Sequence, residues 1–256
     1  MKIICGIPTK NEEWIIAKTL NILIKFCDKI IILDDNSDDR TEEICRGYDK
    51  VDFIKRYPKN IFDTGMSALG KTELFNHIAN YEPDYILILD ADEIPTPAFL
   101  TFLENLDPNI RAFRPRFINV HKDGLVYRTD SFKTKSGAGI NWNPFSNPCW
   151  RKVVLMKYEK NIKYTYDMKK HIGGIGKNHP CPENIKEPII NTEEFFIIHY
   201  GKINPTYLSG EKDKRYAEIE SKIGKGKYKN RIEHHKQCRI GGKPIYKECN
   251  KEWFWD

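Results

Sequence analysis

The sequence predicts an α/β fold: a mostly parallel sheet flanked by helices, then a smaller β region and a basic helical C-terminal extension. Three observations point there. Apolar, β-branched runs alternate with helical periodicity over the first third of the chain. Three of those runs end in a polar cluster. Beyond residue 112 the apolar runs read mainly as strands, and the end of the chain is rich in lysine.

Residues 2–7 are β-branched and stop at Pro8, giving a first strand. Thr9 or Asn11 can cap the helix that follows, with Glu12 and Glu13 in its positive first turn. Trp14, Ile15, Leu20, Ile22 and Ile24 supply that helix with an apolar stripe. Residues 29–33 form a second strand, and Asp34 to Thr41 make a polar turn into a short helix containing Ile44. Residues 51–54 read as a third strand, 65–81 as a helix and 85–89 as a fourth strand. The order β-α-β-α-β-α-β requires a parallel sheet with right-handed crossovers. Pro95 and Pro97 then open a short helix through Leu103. Residues 112–120, 125–128, 151–156 and 195–200 read as strands. Residues 131–149 and 172–190 are long loops rich in small and polar residues, a type that often forms lids or binding loops. Residues 205–223 read as a helix.

The chain has 256 residues, of which 40% are hydrophobic, enough for a substantial core. The charged fraction of 30% and a mean hydropathy of −0.60 predict a soluble protein. No apolar run approaches the roughly 18 residues that cross a bilayer. Pro8 breaks the N-terminal run too early for a secretory signal. The seven cysteines are scattered singly, with no C-x-x-C pair, which argues against a disulfide framework or a zinc knuckle and for a reducing, cytoplasmic setting. The net charge is +6, yet residues 202–251 hold fourteen Lys/Arg against six Asp/Glu, so the body of the chain is slightly acidic. This basic tail is a solvated extension by default. It also suits peripheral contact with an anionic membrane, with Trp253, Phe254 and Trp255 as interfacial anchors. Those aromatics equally suit docking back onto the body. No nucleic-acid motif accompanies the lysines, so nucleic acid is not an expected partner.

Ile86-Leu87-Ile88-Leu89 runs straight into Asp90-Ala91-Asp92-Glu93. Two carboxylates spaced i, i+2 then lie outside the carboxyl end of a strand, where open α/β sheets place ligands. Hard oxygen donors there suit Mg²⁺ or Mn²⁺ on a diphosphate. The other clusters are Pro8-Thr9-Lys10-Asn11-Glu12 and Asp34-Asp35-Asn36-Ser37. Singly, each has a bland explanation: a capped helix start, a solvated turn, a chance D-x-D. All three in order, each after its own strand, form a pattern.

That pattern, with Asp38-Asp39-Arg40-Thr41 completing the second cluster, resembles the family 2 glycosyltransferases of the GT-A fold. The resemblance is close over residues 1–95 and loose beyond. It implies a nucleotide-binding half (1–95), an acceptor half (96–205) and an extension (206–256). Pro8, Thr9, Asn11, Glu12 and Asp35 would hold the nucleoside, while Asp34 either shares that role or holds its loop. Lys71 matches the basic residue near the donor, where many relatives have Arg; its alternative is a solvated helix lysine. Asp92 would be the main ligand of Mn²⁺ or Mg²⁺, with Asp90 nearer the ribose, Ala91 between them, and Glu93 turned away as a helix-start acid. His199 matches the late histidine that closes the metal site, against the alternative of an inert strand-end residue. Lys202 is a loop cation for phosphate. The family's Glu-Asp base pair is absent, and Asp167 is chosen over Glu183 and Glu187 as the base. His171 and His179 are either acceptor donors or solvated; Trp142, Phe145 and Trp150 either stack on sugar or pack locally.

The resemblance thus implies a metal-dependent transferase moving sugar from a nucleotide sugar, UDP-sugar favoured, to a hydroxyl of a glycan, lipid-linked or protein acceptor, with inversion. Two rivals stand beside it. One is a catalytically silent nucleotide-sugar binder or assembly protein. The other is a nucleotidyltransferase, which would carry a Gly-rich loop where Pro8-Thr9-Lys10-Asn11 stands.

Overall fold

The computed structural model describes residues 1–57, 68–133, 139–146, 151–160, 188–211, 213–214, 217–218, 221, 236–237, 241 and 243–256. The first half alternates as the sequence predicts: β1 (Ile3–Thr9), α1 (Ile16–Leu23), β2 (Lys29–Asp34), α2 (Thr41–Arg46), β3 (Val51–Lys55), α3 (Ala68–Ala79) and β4 (Tyr85–Ile88). Strands β3, β2, β1 and β4 lie side by side and parallel. All seven residues of β1 are buried, as a central parallel strand covered on both faces requires.

Alternation sorts the strand side chains into two layers. Ile3, Cys5, Ile7, Ile30, Ile32 and Leu87 join one core with α1 and α4 (Ala98–Glu104). Ile4, Ile31, Leu33, Ile86 and Ile88 join the other, beneath Leu74, Phe75 and Ile78 of α3. Gly6 lets α3 approach: a Cβ there would stand 2.6 Å from Ile78 Cδ1 and 3.1 Å from Leu74 Cδ2.

The later strands are β5 (Glu93–Pro95), β6 (Ala112–His121), β7 (Val126–Arg128), β8 (Ser131–Lys133), β9 (Gly139–Asn141), β10 (Leu155–Lys157), β11 (Ile189–His199) and β12 (Tyr246–Glu248). β10 inserts antiparallel between β4 and β6, ending the parallel half. β11 runs parallel to β6 and antiparallel to β5, which brings His199 opposite Glu93 and beside Asn119. β8 and β9 pair with each other inside the segment expected to be a long loop.

Three expectations are corrected. No side chain caps α1, which begins at Ile16; Thr9 and Asn11 do not serve it. Glu93 does not open a helix, because pairing with β11 draws it into β5. Only the end of the extension departs from a helical tail: β12 pairs with β7, while residues 211, 213–214, 217–218, 221 and 236–237 are helical as expected. α5 (Pro205–Ser209) ends at Gly210, whose φ of 81° closes it, although Glu211, Asp213 and Lys214 are helical again. Trp253 packs against Tyr127, Phe145 and Phe196. Trp255 stacks on Phe26 and donates its Nε1–H to the Pro95 carbonyl at 2.7 Å. These terminal aromatics therefore dock onto the body. Among the described residues no helix is long and apolar enough to cross a membrane.

Replacing Gly6 with Val should push α3 off the sheet. The expected cost of overpacking is about 1–3 kcal/mol, read as a lower denaturation midpoint with an unchanged slope. An unchanged midpoint would show that α3 does not depend on this approach.

Candidate active site

The ends of β1, β2, β3 and β4 share one edge of the sheet, and the polar clusters meet there. Asp34 is fully buried and holds its own turn: Ser37 donates its backbone N–H to Oδ2 at 2.8 Å and its hydroxyl to Oδ1. Of the two roles left open for Asp34, the structure shows the loop-holding one. Asn11, at φ 55°, accepts the Asp38 N–H and donates its own N–H to Ser37, which ties the first loop to the second. The Glu12 N–H donates to Thr41 Oγ1, and its carboxylate accepts Trp14 Nε1–H. Pro8 and Thr9 are buried at the end of β1, and Thr9 Oγ1 is shut from solvent with no hydrogen-bond partner.

Asp35 is buried, and Arg56 donates to its Oδ1 at 2.6 Å. The same guanidinium donates Nε–H to Glu73 Oε2 at 3.0 Å, linking the end of β3 to α3. Sequence reasoning missed Arg56. Its signal was present, since Arg56 follows a parallel strand whose end must reach the same edge.

Asp90, Asp92 and Glu93 follow β4, and their surroundings separate their roles. Glu93 is fully buried. Its Oε2 accepts the Asp90 N–H at 2.9 Å and pairs with the Lys152 ammonium. Lys152 Nζ also stands 3.5 Å from Asp90 Oδ1. Burial, helped by Asp90, pushes the Glu93 carboxyl up to about 7, against the pull of Lys152. Lys152 keeps its proton: burial opposes the charge, but Asp90 and Glu93 raise its pKa. No motif marked Lys152, a cation inside a strand-like run.

Lys71, on α3, is buried rather than solvated. Burial lowers its pKa to about 8; Asp90 resists that shift and Lys152 adds to it. With all five groups ionised, three carboxylates face two ammoniums, a balance of minus one that one divalent cation would reverse.

His199 and Asp92 complete the arrangement. His199 Nδ1–H donates to Asn119 Oδ1 at 2.7 Å, which turns Nε2 toward Asp92 Oδ2, 3.6 Å away. Metal-binding histidines are commonly oriented this way by a second hydrogen bond. Gly201 keeps the space between them open: a Cβ there would lie 2.6 Å from His199 Nε2 and 2.8 Å from Asp92 Oδ2. A hydroxyl from Thr19 holds the intervening Ala91 carbonyl at 2.6 Å. Among the described residues no cluster of three His, Cys, Asp or Glu side chains forms a complete metal site. A carboxylate and an imidazole at a cleared wedge nonetheless fit a divalent cation that takes its remaining ligands from water and substrate phosphate, Mn²⁺ better than the oxygen-seeking Mg²⁺.

Other expected residues lie elsewhere. Lys202 stands over the rings of Trp142 and Tyr207. Phe145 packs among Tyr127, Phe196 and Trp253. Asp167, Glu183, Glu187, His171, His179 and Trp150 lie outside the described residues.

With the fold and this geometry described, the chain can be set beside known proteins. The family model described as Glycosyl transferase family 2 matches residues 5–142. The chain belongs to that family. No curated protein matches it. Similar solved structures include S. aureus TarS, at 20% identity and a TM-score of 0.36 over 48% of this chain and 22% of TarS. Another is glucosyl-3-phosphoglycerate synthase from Mycobacterium tuberculosis, in complex with Mn²⁺, UDP and phosphoglyceric acid, at 21% identity and a TM-score of 0.33 over 45% of this chain and 43% of that one. A third is 4-diphosphocytidyl-2C-methyl-D-erythritol synthase, at 17% identity and a TM-score of 0.41 over 61% of this chain and 75% of that one. The chain thus spans less than half the length of the first two.

Lys71 gives this site a pH signature. Its folded pKa lies below the unfolded value, so between about pH 8 and 10.5 the unfolded chain holds more of this proton and stability rises with pH. In metal-free buffer, Lys71→Met should be more stable than wild type at pH 7, and the gap should close as pH approaches 10. A gap that is constant with pH would contradict a buried, charged Lys71.

Proposed function

We propose that this chain transfers a sugar from a nucleoside-diphosphate sugar, UDP-sugar favoured, to an acceptor hydroxyl with inversion. The observation that carries this reading is the meeting of Asp92 and His199 across Gly201, beside Asp90, Lys71 and Lys152. Family membership supports it.

In this reading Pro8, Thr9, Asn11, Glu12 and Asp35 line the nucleoside, and Arg56 fixes the angle of Asp35. Asp92 and His199 hold Mn²⁺ or Mg²⁺, with Asp90 close by on the ribose side. When bound, such an ion supplies positive charge that stabilises the departing diphosphate. Lys71 adds charge to the same edge, and its burial keeps that charge poorly screened. Asn119 holds the histidine tautomer, and Lys152 keeps Asp90 and Glu93 from repelling the donor. The acceptor oxygen attacks the anomeric carbon as the bond to the β-phosphate oxygen breaks. The nucleoside diphosphate leaves, and the acceptor proton passes to a carboxylate base, for which Asp167 is proposed. The acceptor is a glycan, lipid-linked or protein hydroxyl, and the setting is cytoplasmic. The docked aromatic tail gives no support to membrane anchoring.

The test is thermal stabilisation by UDP, GDP and dTDP with and without Mn²⁺. UDP with Mn²⁺ should raise Tm, and UDP without the metal should do so much less. Asp92→Ala should abolish the metal-dependent part and His199→Ala should weaken it. Gly201→Ala, whose methyl enters the wedge, should mimic Asp92→Ala. Metal-independent stabilisation that is equal in all variants would refute the site. Donor binding with no donor hydrolysis and no transfer would favour the silent binder.

A further inference from the structure

Resting on the transfer reaction proposed above, we propose that His121, Trp142 and Lys202 form an acceptor subsite for an anionic group, a carboxylate or a phosphate. Alternate residues of a strand share a face. On β6, Phe117, Asn119 and His121 therefore look the same way. Phe117 lies beneath the Lys152 ammonium, 5.4 Å from its ring centroid. Asn119 holds His199. His121 comes next, about 7 Å further along the strand by its rise per residue. One face of β6 thus leads from the acidic rim, past the histidine of the metal wedge, to His121.

Two polar atoms there are left without a partner. His121 Nε2 and Trp142 Nε1 are both shut from solvent, and among the described residues neither has a hydrogen-bond partner. Their rings meet edge to face with centroids 5.3 Å apart. An indole N–H can only donate. Buried polar atoms in native proteins are nearly always satisfied, so an orphaned pair on the strand face that also carries Asn119 marks a place for a ligand.

The surrounding charge selects the ligand's sign. Arg128 lies over the Trp142 ring at 5.1 Å, but Asp130 binds it at Nε and Nη2, so that pair is close to neutral. Lys202 stands 5.1 Å from the Trp142 centroid and 4.6 Å from that of Tyr207. Lys122 lies 4.1 Å from the Tyr246 centroid, and Tyr246 meets His121 edge-on. Burial, then Lys202 and Arg128, hold the His121 imidazole neutral, with a pKa pushed down to about 3. Neutral imidazole can donate from Nε2, the indole donates beside it, and the nearby field is positive. A cationic ligand would be repelled, and an apolar one would leave both nitrogens unsatisfied.

The test uses the full chain saturated with Mn²⁺ and UDP, titrated with three probes that share one ring: glucose, glucuronate and glucose 6-phosphate. One charged probe should bind about tenfold or more tightly than glucose, as a hydrogen bond to a charged group predicts, and the better one names the source of the charge. Trp142→Phe keeps the ring and removes the donor, so it should lose most of that preference while binding UDP and Mn²⁺ as wild type does. Lys202→Gln should also reduce the preference. Equal affinity for glucose, or a preference that survives both variants, would overturn the subsite. Failure of wild type to bind UDP with Mn²⁺ is a separate result; it contradicts the transferase reading and this subsite with it.

Discussion

The buried pair of Glu93 and Lys152 is the constraint on which the site depends. It joins the turn after β4 to the segment leading into β10, two stretches that topology alone makes neighbours. Glu93 also accepts the Asp90 N–H and so closes the Asp90–Glu93 turn. With Glu93 fixed on β5, pairing to β11 sets His199 opposite it and brings Asp92 toward the imidazole. A buried ion pair does not promise stability, because desolvation consumes much of the attraction. Removing one partner is different: it strands a buried charge at a cost of about 3–5 kcal/mol. The pair is better understood as a device that sets direction, sending Glu93 inward while Asp90 and Asp92 stay nearer the surface.

Charge balance follows from that arrangement. Three carboxylates on one short turn would repel one another and the diphosphate alike. Lys152 neutralises the inward side, and Lys71 reaches the same acids from α3. Gly6 contributes indirectly by letting α3 sit close to β1. With Glu93 ionised these five groups keep one excess negative charge, which suits a divalent cation, and Gly201 leaves room for it at the Asp92–His199 wedge.

Legibility in the sequence divides along the same lines. The parallel half could be read because three of its four strands, β1, β2 and β4, are apolar runs closed by a polar cluster, and parallel strands must send those ends to one edge. Asp90 and Asp92 were singled out that way, whereas His199 was singled out only by the resemblance to the family's late histidine. Glu93 was misplaced because Asp-Glu before Pro95 and Pro97 carries the local marks of a helix start; only pairing with β11 makes it a strand residue. Lys152 left no local mark, since its burial depends on β10 lying between β4 and β6. The three-residue strand β12 was hidden for the same reason, as long-range pairing rather than propensity creates it. Asn119 and His121 were unremarkable letters in a strand until register placed one against His199 and the other against Trp142.

The central claim is that Asp92 and His199 share a divalent ion beside a nucleoside diphosphate. Anomalous diffraction at the manganese edge, from crystals holding Mn²⁺ and UDP, tests it most directly. A single peak between Asp92 and His199, touching the diphosphate, is the predicted result. A peak away from both side chains, or UDP bound with no manganese beside them, would contradict the account.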